Sequence, residues 1–197
     1  MSLFAHPEFF RAVHRLQDLP PDRGAEIAFA GRSNAGKSSA INALVNRQRL
    51  AHVSKTPGRT QTINFFSLGG GRFLVDLPGY GYAAVPQRER EHWGELISAY
   101  LTARRCLRGL VLIADARRPL TALDRQLIEW FAITAKPVHV LLTKADKLSR
   151  PQARLALSKA GGELGRDHPG LLSMQLFSSA TRDGVTKAQQ IVGGWLA

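Results

Sequence analysis

The sequence predicts an α/β domain on a mainly parallel six-stranded sheet flanked by helices. Three observations predict it: short branched apolar runs recur along the chain, amphipathic helical stripes lie between them, and a glycine-rich phosphate-loop pattern stands where the first run gives way to a helix. At 197 residues the chain has the length of about one ordinary domain, and its 44% hydrophobic content supplies a core without covalent or metal staples. Cys106 is solitary, which excludes an internal disulfide, and no Cys/His spacing matches a structural zinc site. No run approaches the ~18 consecutive apolar residues of a membrane span. His6, Glu8 and Arg11 interrupt the start where a signal peptide needs an apolar stretch, so a cytoplasmic protein without membrane contact is expected.

In chain order, residues 1–24 match no usable pattern and read as an N-terminal extension, with 25–197 as one globular domain. The run 26–30 is the first strand. Residues 47–62, which hold Pro57 and Gly58 but no acid and no helical stripe, read as a mobile loop. The runs 63–68 and 72–76 flank Gly69, Gly70 and Gly71, a tight hairpin connection and the one antiparallel pair expected. Trp93, Leu96, Ile97, Tyr100 and Leu101 then fall at helical spacing. The runs 110–115 and 138–143 are nearly continuous rather than alternating, which suits central parallel strands covered on both faces. Leu123, Leu127, Ile128 and Phe131 form a second helical stripe, and Val185, Ala188, Ile191, Val192 and Trp195 a third after the strand at 172–177. Each stripe reads as a core-facing surface. In such sheets ligands bind beyond the carboxyl ends of the strands.

The chemistry falls at those ends. Gly31, Arg32, Ser33, Asn34, Ala35, Gly36, Lys37 and Ser38 match the phosphate-loop spacing, and Ser39 follows in the expected helix. Glycines there let backbone N–H groups turn inward around a polyphosphate, the helix N-terminus adds partial positive charge, Lys37 reaches the outer phosphates and the Ser38 hydroxyl ligates magnesium. Asp76, Leu77, Pro78 and Gly79 end the third strand, where the Asp76 carboxylate can hold magnesium through water and the Gly79 N–H can meet a γ-phosphate. Gly58, Arg59, Thr60, Gln61 and Thr62 lie in the loop between the two motifs. Thr60 can give its hydroxyl to magnesium and its N–H to the γ-phosphate, closing the loop on triphosphate. Lys37, Asn34, Thr60 and Gly79 are thus the candidates for assisting hydrolysis.

Thr143, Lys144, Ala145 and Asp146 follow the fifth strand. A carboxylate at Asp146 accepts two hydrogen bonds from the guanine ring N–H and exocyclic amine, whereas adenine has no such donor pair and leaves a buried acceptor unpaired. The Lys144 stem can lie over the base. Phe177, Ser178, Ser179 and Ala180 close the last strand, where small residues let backbone N–H groups approach the guanine oxygen. Four motifs in this order, each at a strand end, define a guanine-nucleotide site. A metabolic P-loop kinase, the competing enzyme class, lacks the 143–146 motif.

Residues 31–39, 56–61, 76–83 and 143–147 together resemble the EngB (YihA/YsxC) family, a bacterial branch of the TrmE-Era-EngA-YihA GTPases, and the resemblance runs over about 26–196. It implies a monomeric Ras-like G domain that binds GTP or GDP with magnesium. It also implies association with the large ribosomal subunit or its precursor during assembly, and a requirement in cell division and septation. A septation GTPase that touches no RNA is the alternative. The residue after Gly79 is Tyr80, where Ras-type GTPases carry the glutamine that orients the attacking water. Slow hydrolysis is therefore expected until a partner, a cation or another loop group completes the site. Two readings of Asn34 stand side by side: related GTPases use an Asn here to ligate potassium, and an Asn also suits an unusual loop backbone.

Lys plus Arg number 27 against 15 Asp plus Glu, a net charge of +12. That excess serves either general solubility or an anionic partner such as rRNA. Arg47, Arg49, Lys55 and Arg59 lie in or beside the 47–62 loop, and Arg104, Arg105, Arg108, Arg117 and Arg118 cluster around the start and end of the fourth strand.

Overall fold

The computed structural model describes residues 3–51, 62–81, 87–164 and 170–197, with the side chains of 87–93 and 163–164 left aside. Gly58, Arg59, Thr60 and Gln61, like Lys55, lie outside the described residues, as does the Trp93 side chain. The elements run β1 (Glu8–Val13), β2 (Ala25–Gly31), α1 (Lys37–Leu44), β3 (Ile63–Gly69), β4 (Arg72–Asp76), α2 (Gln87–Ala103), β5 (Leu107–Asp115), α3 (Ala122–Ala132), β6 (Val138–Thr143), α4 (Arg150–Leu164), β7 (Leu172–Leu176) and α5 (Val185–Trp195).

The sheet has seven strands, in the order β1-β3-β4-β2-β5-β6-β7, one more than the six expected. The added strand is β1, from the segment that showed no pattern, and it pairs antiparallel with β3. The predicted β3–β4 hairpin is therefore one of two antiparallel pairs, while β2–β4, β2–β5, β5–β6 and β6–β7 are parallel. Every residue of β2 and of β6 is buried, as continuous apolar runs covered on both faces require.

Leu96, Tyr100 and Leu101 of α2, Ile128 and Phe131 of α3 and Ala160 of α4 pack on one sheet face with Phe65, Leu110 and Leu112. Ile41 and Leu44 of α1 and Val185, Ala188 and Val192 of α5 cover the other with Phe29, Val111 and Leu141. Leu123, expected in a core stripe, is 45% exposed. It stands at the seam with residue 81, where a Cβ added to Gly81 would lie 3.2 Å from its Cδ1.

The N-terminal segment is tied in by its polar groups as well as by β1. Glu26 is almost wholly buried and receives Arg104 at 2.6 and 3.0 Å and the Tyr100 hydroxyl at 2.9 Å, while Arg104 Nη1 donates to Pro20 O at 2.7 Å. Asp22 accepts the backbone N–H groups of Arg105 and Cys106 at 3.0 and 2.8 Å. Burial opposes its ionisation, but a hydrogen bond from the Cys106 side chain, then these amide bonds and the Arg104 charge, outweigh it and bring its pKa down to about 2.

These contacts remove Arg104 from the basic residues around the fourth predicted strand. Arg104 is buried against Glu26 and is not surface charge. Arg105 and Arg108 lie at the start of nine-residue β5 and Arg117 and Arg118 beyond its end, two groups roughly 27 Å apart along the strand.

Candidate nucleotide site

β2, β4, β5, β6 and β7 run parallel and end at one edge, at Gly31, Asp76, Asp115, Thr143 and Leu176, so all four motifs meet there. The phosphate loop leaves β2 over β5: a Cβ on Gly31 would stand 2.6 Å from Ile113 O. Gly36, at φ +98°, is the N-cap of α1, and Lys37, Ser38 and Ser39 form its first turn. This geometry aims the first N–H groups of α1 out of the sheet edge, where an anion is stabilised. Lys37 is nearly buried and ion-paired with the buried Asp76 carboxylate at the floor of the site. Asn34 has φ +65° and an exposed side chain.

The 143–146 segment grips the phosphate loop directly. Thr143 Oγ1 lies 2.5 Å from Ala35 O and 3.1 Å from Ala114 O, and Lys144, itself at φ +58°, donates from Nζ to Asn34 O at 2.7 Å. Asp115 steers that lysine. Its Oδ2 accepts from Lys144 Nζ at 3.0 Å and from Arg117 Nη2 at 2.6 Å. Burial works against the Asp115 carboxylate, yet the bonds from Arg117 and Lys144 hold its pKa well below the ordinary range. A cleft of about 500 Å³ opens here, lined by Ser33, Asn34, Asp115, Arg117 and Lys144.

Asp146 is held in place by Ser178 Oγ, which donates to Oδ1 at 2.7 Å, and by Lys147 Nζ, 3.3 Å from Oδ2. The Ser178 bond is the main cause that lowers the Asp146 pKa, which keeps the carboxylate ionised and able to accept N–H bonds. Ala145 N donates to Phe177 O at 3.2 Å, which joins the two loops. The Ser178 amide is bonded to Asp183 O at 3.0 Å, and Ser179 and Ala180 follow in the same turn.

The segment 77–80 lies against the phosphate loop. Leu77 is buried in the core, Ser33 N donates to Tyr80 O at 3.0 Å, and Tyr80 N donates to Gly31 O at 3.3 Å. Glycine at 79 lets the segment lie close on the phosphate loop: an added Cβ would stand 3.1 Å from Ser33 Oγ and 3.3 Å from Ser33 N, so Ser33 would have to give by a few tenths of an ångström. The Tyr80 hydroxyl donates to Asp124 Oδ1 of α3 at 2.6 Å. Burial, and then the Asp124 charge, push this phenol far above its usual range, which fixes it as a donor. Arg32 runs beside Gly81, and its Nε is buried without a hydrogen-bond partner among the described residues. At the far end of α1, Asn42 pins Ala51 through both amide atoms at 2.8 and 2.9 Å, fixing where the 47–62 loop departs. Thr62, where it returns, bonds Asn64 Oδ1 at 2.9 Å.

Asp115, Asp124 and the Ser178 hydroxyl carry roles that the motifs did not announce. A carboxylate at a strand end with Arg two residues on was the available signal for Asp115.

The family model described as "50S ribosome-binding GTPase" matches residues 26–144. A protein of Nitrosomonas europaea named "Probable GTP-binding protein EngB" is 59% identical over 193 residues, covering 98% of this chain and 86% of its own length. The chain belongs to the EngB family of GTP-binding proteins. A second EngB protein, from Methylobacillus flagellatus, is 56% identical over 196 residues, covering 100% of this chain and 94% of its own. The crystal structure of a probable GTP-binding protein EngB superposes with a TM-score of 0.70 at 20% identity, over 87% of this chain and 98% of that one, and so shows the fold. As an EngB protein the chain is a P-loop GTPase, and the motifs gathered at the strand ends are its candidate nucleotide site.

Proposed function

We propose that this EngB protein is a slow GTPase whose GTP form binds the large ribosomal subunit or its precursor, and that it acts in the cytoplasm in subunit assembly and thereby in cell division. The observation that carries the reading is the conjunction of the strand-end site with a net charge of +12, together with a family model whose description names ribosome binding.

The residues present suit magnesium. Ser38 offers a hydroxyl, Asp76 a buried carboxylate now shared with Lys37, and Thr60 a further hydroxyl from the loop. A hard cation takes oxygen ligands of this kind and, when bound, neutralises charge on the phosphates. An arriving triphosphate draws Lys37 from Asp76 onto its outer oxygens, and the amides of the phosphate loop and of Gly79 meet the charge that develops at the γ-phosphate. Tyr80, bound to Asp124, has no group to orient the attacking water, so intrinsic turnover stays well below the ~10 per second enzyme median. Asn34 would be the residue to hold a potassium ion, which would supply added charge stabilisation, while its φ of +65° equally fits the loop-backbone reading. Equal hydrolysis rates in potassium and sodium at matched ionic strength would remove the potassium reading.

Co-sedimentation with purified large subunits tests the ribosomal reading. A GTP analogue should give tighter binding than GDP, and both should weaken as salt rises. Equal sedimentation with either nucleotide at every salt concentration would contradict a switch.

A further inference from the structure

We infer that the edge strand β1 carries a stacking platform for unpaired RNA bases, built from Phe10 and Arg11. The inference rests on the ribosomal reading only for the identity of the RNA.

A bulge creates the platform. In the β1–β3 ladder Phe9 pairs with Phe66 and Arg11 with Phe65, and Phe10 has no partner. A bulge lets neighbouring side chains depart from strict alternation and re-aims one of them. Phe10 accordingly lies 5.3 Å from the Phe73 ring, and the Arg11 guanidinium sits 5.7 Å over the Phe10 ring. Phe10 is still 47% exposed, and Phe9, packed on Phe66, is 57% exposed.

A flat ring topped by a guanidinium suits a nucleobase, which has a π-face whatever its sequence. Arg11 makes its hydrogen bond to a neutral carbonyl, Asp18 O at 3.2 Å, so its charge is available to a phosphate. The same bulge breaks the row of ladder groups that an added protein strand would need, which argues against a peptide on this edge. In a chain of net charge +12 a polyanion is the complementary occupant.

The test measures fluorescence anisotropy of labelled oligouridine, with large-subunit co-sedimentation in parallel. Phe10→Leu keeps apolar packing on Phe73 but loses the stacking face, and Phe10→Tyr restores it. F10L should weaken oligouridine binding about 5- to 150-fold. F10Y should bind like the parent, R11Q should weaken binding with a shallower salt dependence, and GDP affinity should be unchanged in all three. Oligouridine that binds F10L as well as the parent, or does not bind the parent at all, would overturn the platform. So would a labelled acidic peptide that binds the edge in a Phe10-dependent way when oligouridine does not. Parent protein that binds oligouridine through Phe10 but never sediments with large subunits would keep the platform and remove the ribosomal reading. Equal sedimentation of parent and F10L, with oligouridine indifferent to Phe10, would do the reverse.

Discussion

Lys144 holds the phosphate loop from outside, with its ammonium shared between Asn34 O and Asp115. Lys144→Ala removes two charge-assisted bonds, each worth roughly 1.5–3 kcal/mol. Guanine-nucleotide affinity should fall at least about tenfold by calorimetric titration. Asp115→Asn should produce a smaller loss, because it weakens the steering of Lys144 and leaves the bond to Asn34. Unchanged GDP affinity in both variants would show that the clamp does not preorganise the loop. The motif residues were legible because each has a chemical reason to stand at its spacing, whereas Asp115 and the Ser178 hydroxyl were not. Their partners are 29 and 32 residues away in sequence, and only the parallel register brings them together.

At the scale of elements, Arg104 ties α2 to β2 and to the N-terminal segment. Arg104→Ala leaves the Glu26 carboxylate buried without its main partner, a loss that costs roughly 3–5 kcal/mol. The denaturation midpoint should drop accordingly, and a midpoint within error of the parent would show that Tyr100 alone suffices for Glu26. His139 sets a pH dependence between β6 and β7, where its ring lies between Ser173 Oγ at 2.8 Å and Gln175 Oε1 at 3.1 Å. Burial pushes its pKa below the ordinary value near 6.5, so the unfolded chain binds the proton more readily. Stability should therefore fall as pH drops below about 6.5, and His139→Gln should flatten that slope. An unaltered pH profile in H139Q would assign the acid sensitivity elsewhere. β5 and β6 were legible from nearly continuous branched runs, and β2 from a short apolar run leading into the phosphate loop. β1 was not, since only Val13 of its six residues is buried and pairing with β3 defines the strand. α4 was missed for a related reason: its buried contacts include Ala153 and Ala160, small residues that leave no strong stripe.

At the scale of the whole molecule, the proposed ribosomal role needs two things: a net charge of +12 that attracts a polyanion without choice, and a nucleotide state that supplies the choice. A coupling of about 1 to 3 kcal/mol between nucleotide state and particle binding is enough for a switch. Such coupling passes through the guanine site only if Asp146 selects the base. Asp146→Asn presents an amide donor where the carboxylate accepted, which suits xanthine in place of guanine. The decisive measurement is sedimentation of D146N with large ribosomal subunits in the presence of XTP or GTP analogues. The account predicts that the xanthine analogue promotes binding and the guanine analogue no longer does. D146N that binds the particles equally with either analogue, or without nucleotide, would contradict it.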